Sequence, residues 1–344
     1  MKKLASLLLA FILLLSSTAA FAQSEEKLKV GLTTFSLAVT WNNQNVTNTQ
    51  TYCNNKYGDS IEFTVFNANN KIADQVTHIE NMINDGYDII LIDSTTPTGV
   101  SAALTKAREN GIIVVNYNSG IDDENAYDCK LSVDQYNWGA VLAQGLVDVL
   151  GGKGKIVMLH GVTGNKMSDT RSQGALDVFA QYPEIEILAE AYGEWEQAPA
   201  EAAMTAWIAA FPEIDGAWVS GGASTNGVLN VLLNNGMDLI PVTSEDFNGT
   251  LKIWYEHMLS EGYQSVASGV ATKYGCLALE AALRIKEGKE LEKTYSLELP
   301  IITNENLEKY VRPDMPDDYW TMTDLVLAEM DEIWPDYAQY DQYA

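Results

Sequence analysis

The chain has 344 residues, 47% of them hydrophobic and 20% charged, which fits about two globular domains and excludes collagen-like, coiled-coil and wholly disordered classes. Its 21 Lys and Arg stand against 47 Asp and Glu. The resulting formal charge of −26 repels phosphate backbones and anionic lipid, and no basic patch offsets it, so neither nucleic acid nor a membrane surface is expected as a partner.

Met1-Lys2-Lys3 is basic, Leu4 to Leu15 is almost wholly apolar, and a small-residue stretch ends in Ala20-Phe21-Ala22 before Gln23. That order predicts a secretory signal over residues 1–22, with cleavage near Ala22 and a mature charge of −28 once Lys2 and Lys3 are gone. The apolar stretch is too short to span a bilayer of about 30 Å, and no later run reaches about 18 apolar residues. No Cys follows it to carry a lipid anchor. A soluble, exported protein is expected, periplasmic where the cell has two membranes.

From Lys27 onward, short apolar runs alternate with longer amphipathic stretches. Strands are predicted at Leu28–Leu32, Ile61–Phe66, Asp88–Ile92 and Ile112–Val115, and helices near 41–57, 71–85 and 97–110, each closed by a glycine (Gly58, Gly86, Gly111). Continuous apolar strands in β-α-β rhythm imply a parallel sheet covered on both faces. The rhythm pauses over the polar stretch Asn118–Tyr127 and restarts, with strands near Leu131, at Lys155–Leu159, Ile185–Ala189, Gly216–Val219 and Leu239–Thr243. A further strand at Ser265–Val270 and a helix at about 272–286 precede a Pro-containing tail with nine carboxylates and no Lys or Arg from Asp314 onward.

Several chemistries lack their signatures. Gly151-Gly152-Lys153-Gly154-Lys155 has neither the spacing nor the hydroxyl of a phosphate loop, and reads as a turn into a strand. His78, His160 and His257 are scattered and no Cys/His cluster forms, so neither metal nor cofactor is expected. No G-x-S-x-G elbow occurs, although triads assemble in space and are not fully excluded. Three cysteines, Cys53, Cys129 and Cys276, leave at least one unpaired and read as small buried hydrophobes, their thiol state left open.

What remains lies just past the C-terminal ends of the strands, the edge where open α/β sheets bind ligands. Trp41, Asn42, Asp93, Thr96 and Asn118 stand there in the first unit, and Arg171, Trp195 and Asp246 in the second. A single Asp in such a place is more often a helix cap, so the weight rests on the group. Asp, Asn and Arg match the donors and acceptors of a neutral polyhydroxyl ligand, and Trp rings stack on its C–H faces.

The order and spacing of Lys29-Val30-Gly31-Leu32, Asp88–Asp93, Leu150–Val157, Thr170-Arg171-Ser172-Gln173-Gly174 and Ser244-Glu245-Asp246-Phe247 resemble the periplasmic solute-binding proteins of the ribose-binding type, which feed sugar ABC transporters. The likeness runs from about Lys27 to about Glu292. It implies two doubly wound parallel-sheet α/β lobes joined by a three-crossover hinge, the type I periplasmic-binding-protein fold. Lobe one would take residues 27–118 plus 272–296, lobe two 119–271 plus 297–320, and an acidic tail 321–344. On the same likeness Trp41 and Trp195 stack on the sugar from opposite lobes, Arg171 clamps it and Asp246 accepts its hydroxyls. Asn118-Ser119 stands where ribose binders carry Asp-Arg, Gly221-Gly222 where they carry an Asn, and Ala271-Thr272 where they carry a Gln, which points away from ribose itself. The implied function is a monomeric, non-enzymatic receptor that closes on a small neutral sugar or polyol and delivers it to a membrane permease. Alternatives are a same-fold receptor for a signalling ligand such as autoinducer-2, or an exported carbohydrate-active enzyme using Asp93 and Asp246 as its carboxylate pair. Cys53 and Cys129, assigned to different lobes, are expected to be unbridged.

Overall fold

The computed structural model describes residues 26–297 and 299–324; the expected signal at 1–22 and the tail beyond 324 lie outside the described residues. Lobe one opens with β1 (Leu28–Thr34), α1 (Thr40–Tyr57), β2 (Ile61–Asn67), α2 (Ile72–Asn84), β3 (Ile89–Ile92), α3 (Ser101–Glu109), β4 (Ile113–Tyr117) and β5 (Cys129–Val133). The chain then crosses to lobe two for α4 (Gln135–Leu150), β6 (Gly154–His160), α5 (Lys166–Phe179), β7 (Ile185–Tyr192), α6 (Gln197–Ala210), β8 (Gly216–Val219), α7 (Gly222–Asn234), α8 (Asn248–Glu261) and β9 (Ala267–Ser268). It returns to lobe one for α9 (Tyr274–Lys286) and β10 (Thr294–Leu297). A last crossing reaches β11 (Ile301–Ile302), antiparallel to β9.

Lobe one is a six-stranded sheet in the order β10-β5-β4-β3-β1-β2, with every neighbouring pair parallel. Its apolar strands follow the period of two that a doubly covered sheet demands. Ile89 and Leu91 enter the core shared with α1 and α9, while Ile90 and Ile92 pack with Ile79 and Met82 of α2 and Leu104 of α3. Lobe two repeats the plan on the parallel strands β7-β6-β8, extended by single bridges at Ala217–Val242 and Ser244–Ala267.

Three expectations are corrected. The first crossing falls after Val133, not at Asn118, because β5 pairs with β4, and Leu297 likewise belongs to the lobe-one sheet through β10. The polar stretch 118–127 mimics a linker but is a loop folded back on lobe one, where the Asp128 carboxylate accepts the Val114 N–H at 2.8 Å and Arg108 Nη2 at 2.6 Å. Cys129 therefore sits in lobe one with Cys53, so a staple across the hinge is not the reason they stay apart; all three cysteines are free and buried. Gly58 ends α1 in right-handed conformation (φ −56°), whereas Gly86 and Gly111 adopt the left-handed one (φ 67° and 82°).

Candidate functional site

In lobe one the strand order reverses between β1 and β3, and the crevice beyond that switch point opens toward lobe two. β1 ends in buried Thr33 and Thr34 and continues to Phe35, and the first turn of α1 brings Trp41 and Asn42 to the same edge. Asn42 is held there by its Nδ2, which donates to the Ser36 carbonyl at 2.9 Å. Trp41 donates from Nε1 to the Val270 carbonyl at 2.5 Å, which ties the start of α1 to the second crossing. Asn118 has φ 60°, a left-handed conformation that Asn tolerates better than most residues. Asp93 pins it, accepting Asn118 Nδ2 at 3.2 Å and the Ser119 N–H at 3.1 Å. Burial pushes the Asp93 pKa up to about 6 despite these donors.

In lobe two, close packing of α4 on α5 positions Arg171. A Cβ on Gly139 would fall 1.8 Å from the Arg171 carbonyl, and one on Gly174 would fall 2.1 Å from the Tyr136 carbonyl, so larger residues would push the helices apart. At this separation the guanidinium lies over the Trp138 ring, 3.9 Å from its centroid, while Nε donates to Gln135 and Nη1 to Glu245 Oε1 at 2.7 and 2.8 Å. Burial pulls the Arg171 pKa below its ordinary value and the Glu245 charge opposes that. The pair thus neutralises itself inside the protein.

Trp195 is placed by backbone and glycines together. Glu194 and Trp195 both adopt left-handed φ values, 54° and 55°, in the turn after β7. The indole fills space that side chains at Gly161 and Gly221 would occupy: added Cβ atoms would stand 2.3 and 2.6 Å from it. Nε1 donates to Ser220 Oγ at 3.4 Å, and the ring faces Phe35 of the other lobe at a centroid distance of 6.1 Å.

These groups enclose a cavity of about 30 Å³ lined by Phe35, Val39, Trp41, Asn42, Asn118, Met167, Arg171, Trp195, Gly221, Gly222, Glu245, Val270 and Trp320. The structure thus gathers five of the eight expected residues, Trp41, Asn42, Asn118, Arg171 and Trp195, on one wall-to-wall site between the lobes. Asp93 stands behind that wall as the support of Asn118. Asp246 also stands behind it: its Oδ2 accepts the Met322 N–H at 2.5 Å, and burial with the neighbouring Glu245 charge raises its pKa to about 7. Thr96 lines a separate crevice with Ser119, Asn165 and Lys166 at the rim. There Lys166 of lobe two pairs with Asp122 of lobe one. Among the described residues no group of three or more His, Cys, Asp or Glu could hold a metal ion.

Sequence reasoning missed Val39, Met167 and Val270, ordinary apolar positions with no signal of their own, and Trp320. Trp320 did carry one signal, a large aromatic within an acidic, proline-rich tail. Glu245 adjoins the Asp that the sequence favoured, and the pair exchanges roles: Glu245 reaches the cavity and Asp246 turns away from it.

The sequence profile of the periplasmic binding protein domain matches residues 30–290. A xylitol-binding protein of Mycolicibacterium smegmatis is 26% identical over 259 residues, 73% of this chain and 71% of its own length. The ribose import binding protein of Bacillus subtilis is 22% identical over 243 residues, 71% of this chain and 77% of its own. Among solved structures, a galactofuranose-binding protein superposes with a TM-score of 0.76 at 19% identity, over 85% of this chain and all (100%) of its own. A periplasmic solute-binding protein of Actinobacillus succinogenes with bound D-allose gives 0.72 at 23% identity, over 83% of this chain and 100% of its own. With two doubly wound lobes, three crossings and a cavity between them, and a profile match over most of its length, the chain belongs to the periplasmic binding protein family.

Proposed function

We propose that this protein is an exported, non-enzymatic receptor that closes on one small neutral sugar or polyol and delivers it to the permease of an ABC transporter. One observation carries the reading: the interlobe cavity presents aromatic rings and neutral amides, and among the described residues its only charged side chains, Arg171 and Glu245, are spent on each other. A ligand with net charge would meet no free counter-charge there, whereas a polyhydroxyl compound offers C–H faces to the rings and hydroxyls to Asn42, Asn118 and the outer atoms of the ion pair. Asp93 and Asp246 stand behind the walls holding other groups, so they do not form a carboxylate pair flanking a scissile bond. Relatives named for xylitol and ribose support the same ligand class.

The test is a thermal-shift screen over pentoses, hexoses, polyols and autoinducer-2, followed by recovery of the strongest binder. A sugar or polyol should raise the melting temperature, saturate tryptophan fluorescence and be recovered unchanged. A shift with autoinducer-2 alone, or a product whose formation stops in Asp246→Asn, would overturn the reading.

A further inference from the structure

The chain does not end where the family match does. After β11 it continues through a 3₁₀ turn, Leu307–Lys309, and a strap that runs back to the cavity. The strap is held by its backbone. Asn248, at the start of α8, donates from Nδ2 to the carbonyls of Arg312, Met315 and Pro316 and accepts the Arg312 N–H. Gly249 N–H donates to the Asp317 carbonyl, and Lys252 Nζ reaches the Met315 carbonyl at 2.6 Å. So many satisfied carbonyls fix the path of a segment that lacks regular secondary structure.

That path ends by delivering one large ring to the interlobe site. Trp320 is buried and lines the cavity. Toward lobe one, its backbone makes a reciprocal pair with the Gln44 amide, N–H to Oε1 at 2.9 Å and Nε2 to the carbonyl at 3.0 Å, and its Nε1 donates to Thr40 Oγ1 at 3.2 Å. Toward lobe two, it forms an antiparallel bridge with Phe247 and packs edge-on against that ring at 5.4 Å. The next two residues add N–H donors to the Asp246 carbonyl and carboxylate. Gly222 leaves room chiefly for Phe247, the ring that Trp320 packs against, since a Cβ there would stand 2.3 Å from Phe247 Cβ and 3.3 Å from Trp320 Cη2.

We propose that Trp320 is a specificity-determining wall of the ligand site, supplied by the C-terminal strap, and that it sets the ligand size the closed cleft accepts. The proposal rests on the receptor reading above. Its physical basis is that Trp320 is a lining residue hydrogen-bonded to lobe one and packed on lobe two, so the room it leaves is defined only when Gln44 and Phe247 hold it from either side. A rigid ring in that position discriminates between ligands that differ by one carbon and its hydroxyl, because the larger one must displace it or lose contacts.

The experiment is calorimetric titration of the full chain with xylitol, D-xylose, D-ribose, D-allose and myo-inositol, for wild type, Trp320→Ala and Trp320→Phe, beside the melting temperature of each free protein. The ratio of six-carbon to five-carbon affinities should move in favour of the larger probes by roughly tenfold or more in Trp320→Ala. Trp320→Phe keeps most of the buried ring, so it should fold like wild type and shift the ratio by an intermediate amount. If wild type binds some probes and both folded variants keep its ratio, the strap proposal fails alone. If wild type binds none of the probes, the receptor reading and this proposal fall together. A variant that only lowers affinity for every probe equally also counts against it.

Discussion

Trp195→Ala separates a ligand-stacking ring from a merely buried one, because the structure offers a matched control. Trp195 and Trp207 are each 7% exposed and both belong to lobe two, but Trp195 lines the cavity whereas Trp207, on α6, does not. Truncating either removes a buried indole at about 3 to 5 kcal/mol, which at this chain length lowers the melting temperature of the free protein by roughly 1 to 2 °C per kcal/mol. Trp195 sits against two glycines, which have no side chains to relax into the space it leaves, so its cost should lie toward the upper end. The difference appears in affinity. If the indole stacks on the ligand, its loss removes a further share of about 2 to 4 kcal/mol from the complex, a fall of roughly 30-fold to 1000-fold. Trp207→Ala should leave affinity within about threefold. The assay is calorimetric titration with the sugar or polyol that gives the largest thermal shift, together with melting of the free proteins. Equal affinities for Trp195→Ala and wild type, with both Trp variants destabilised alike, would refute the stacking role.

Arg171→Met should destabilise by about 3 to 5 kcal/mol by stranding Glu245, and Arg171→Met combined with Glu245→Leu should recover much of that loss; additive costs in a denaturant double-mutant cycle would contradict the self-neutralised pair. Asp246 holds its proton up to about pH 7 when folded against an ordinary value of 3.8, so its contribution is full below the unfolded value and is lost as pH rises through the folded one, about 4 kcal/mol in all. Melting temperature should therefore decline from pH 4 toward pH 8 through Asp246, with Asp93 adding a smaller slope of the same sign up to about pH 6, and Asp246→Asn should flatten the profile. Burial raises the thiol pKa values of Cys53, Cys129 and Cys276 to about 12, so the native protein should resist thiol reagents at pH 8, whereas the unfolded, unreduced chain should titrate three groups. A single titrating group would show a bridge.

The strands, helices and ligand-bearing edge were legible because they depend on local pattern. Ile89-Ile90-Leu91-Ile92 has no polar residue to face water, so it had to be covered on both sides, and that implies a parallel sheet with helices on both faces. The first crossing was not legible. Asn118–Tyr127 has the composition of a linker whether it joins two lobes or two neighbouring strands, and only the pairing of β5 with β4 decides which. The same limit applies to the carboxylates. Asp93 and Asp246 lie where the sequence expects ligand contacts, but whether a carboxylate faces the cavity or a backbone N–H behind it depends on the partners that long-range folding brings. For Asp246 that partner is Met322, 76 residues away. Trp320 is the extreme case, since its place at the cavity follows from α8, not from any spacing within the tail.

The cavity has important consequences for affinity on the receptor reading. About 30 Å³ holds no more than a couple of waters, so a sugar enters only if the rings of Phe35 and Trp195 part and the lobes reopen. Opening must also break Lys166–Asp122 at the far rim and the Gln44–Trp320 pair at the near side. Both remain available after the ligand is bound, so as contacts they stabilise closed states with and without ligand alike, and the Gln44 pair bears on selectivity only by fixing where the Trp320 ring stands. The ring contact is different, because a bound sugar replaces it instead of adding to it. Ligand affinity is therefore the difference between sugar–ring and ring–ring contact, reduced by whatever closed population exists beforehand. A receptor built this way gains selectivity from the fit of its aromatic walls and only modest strength from its charged groups, since Arg171 and Glu245 are already paired with each other.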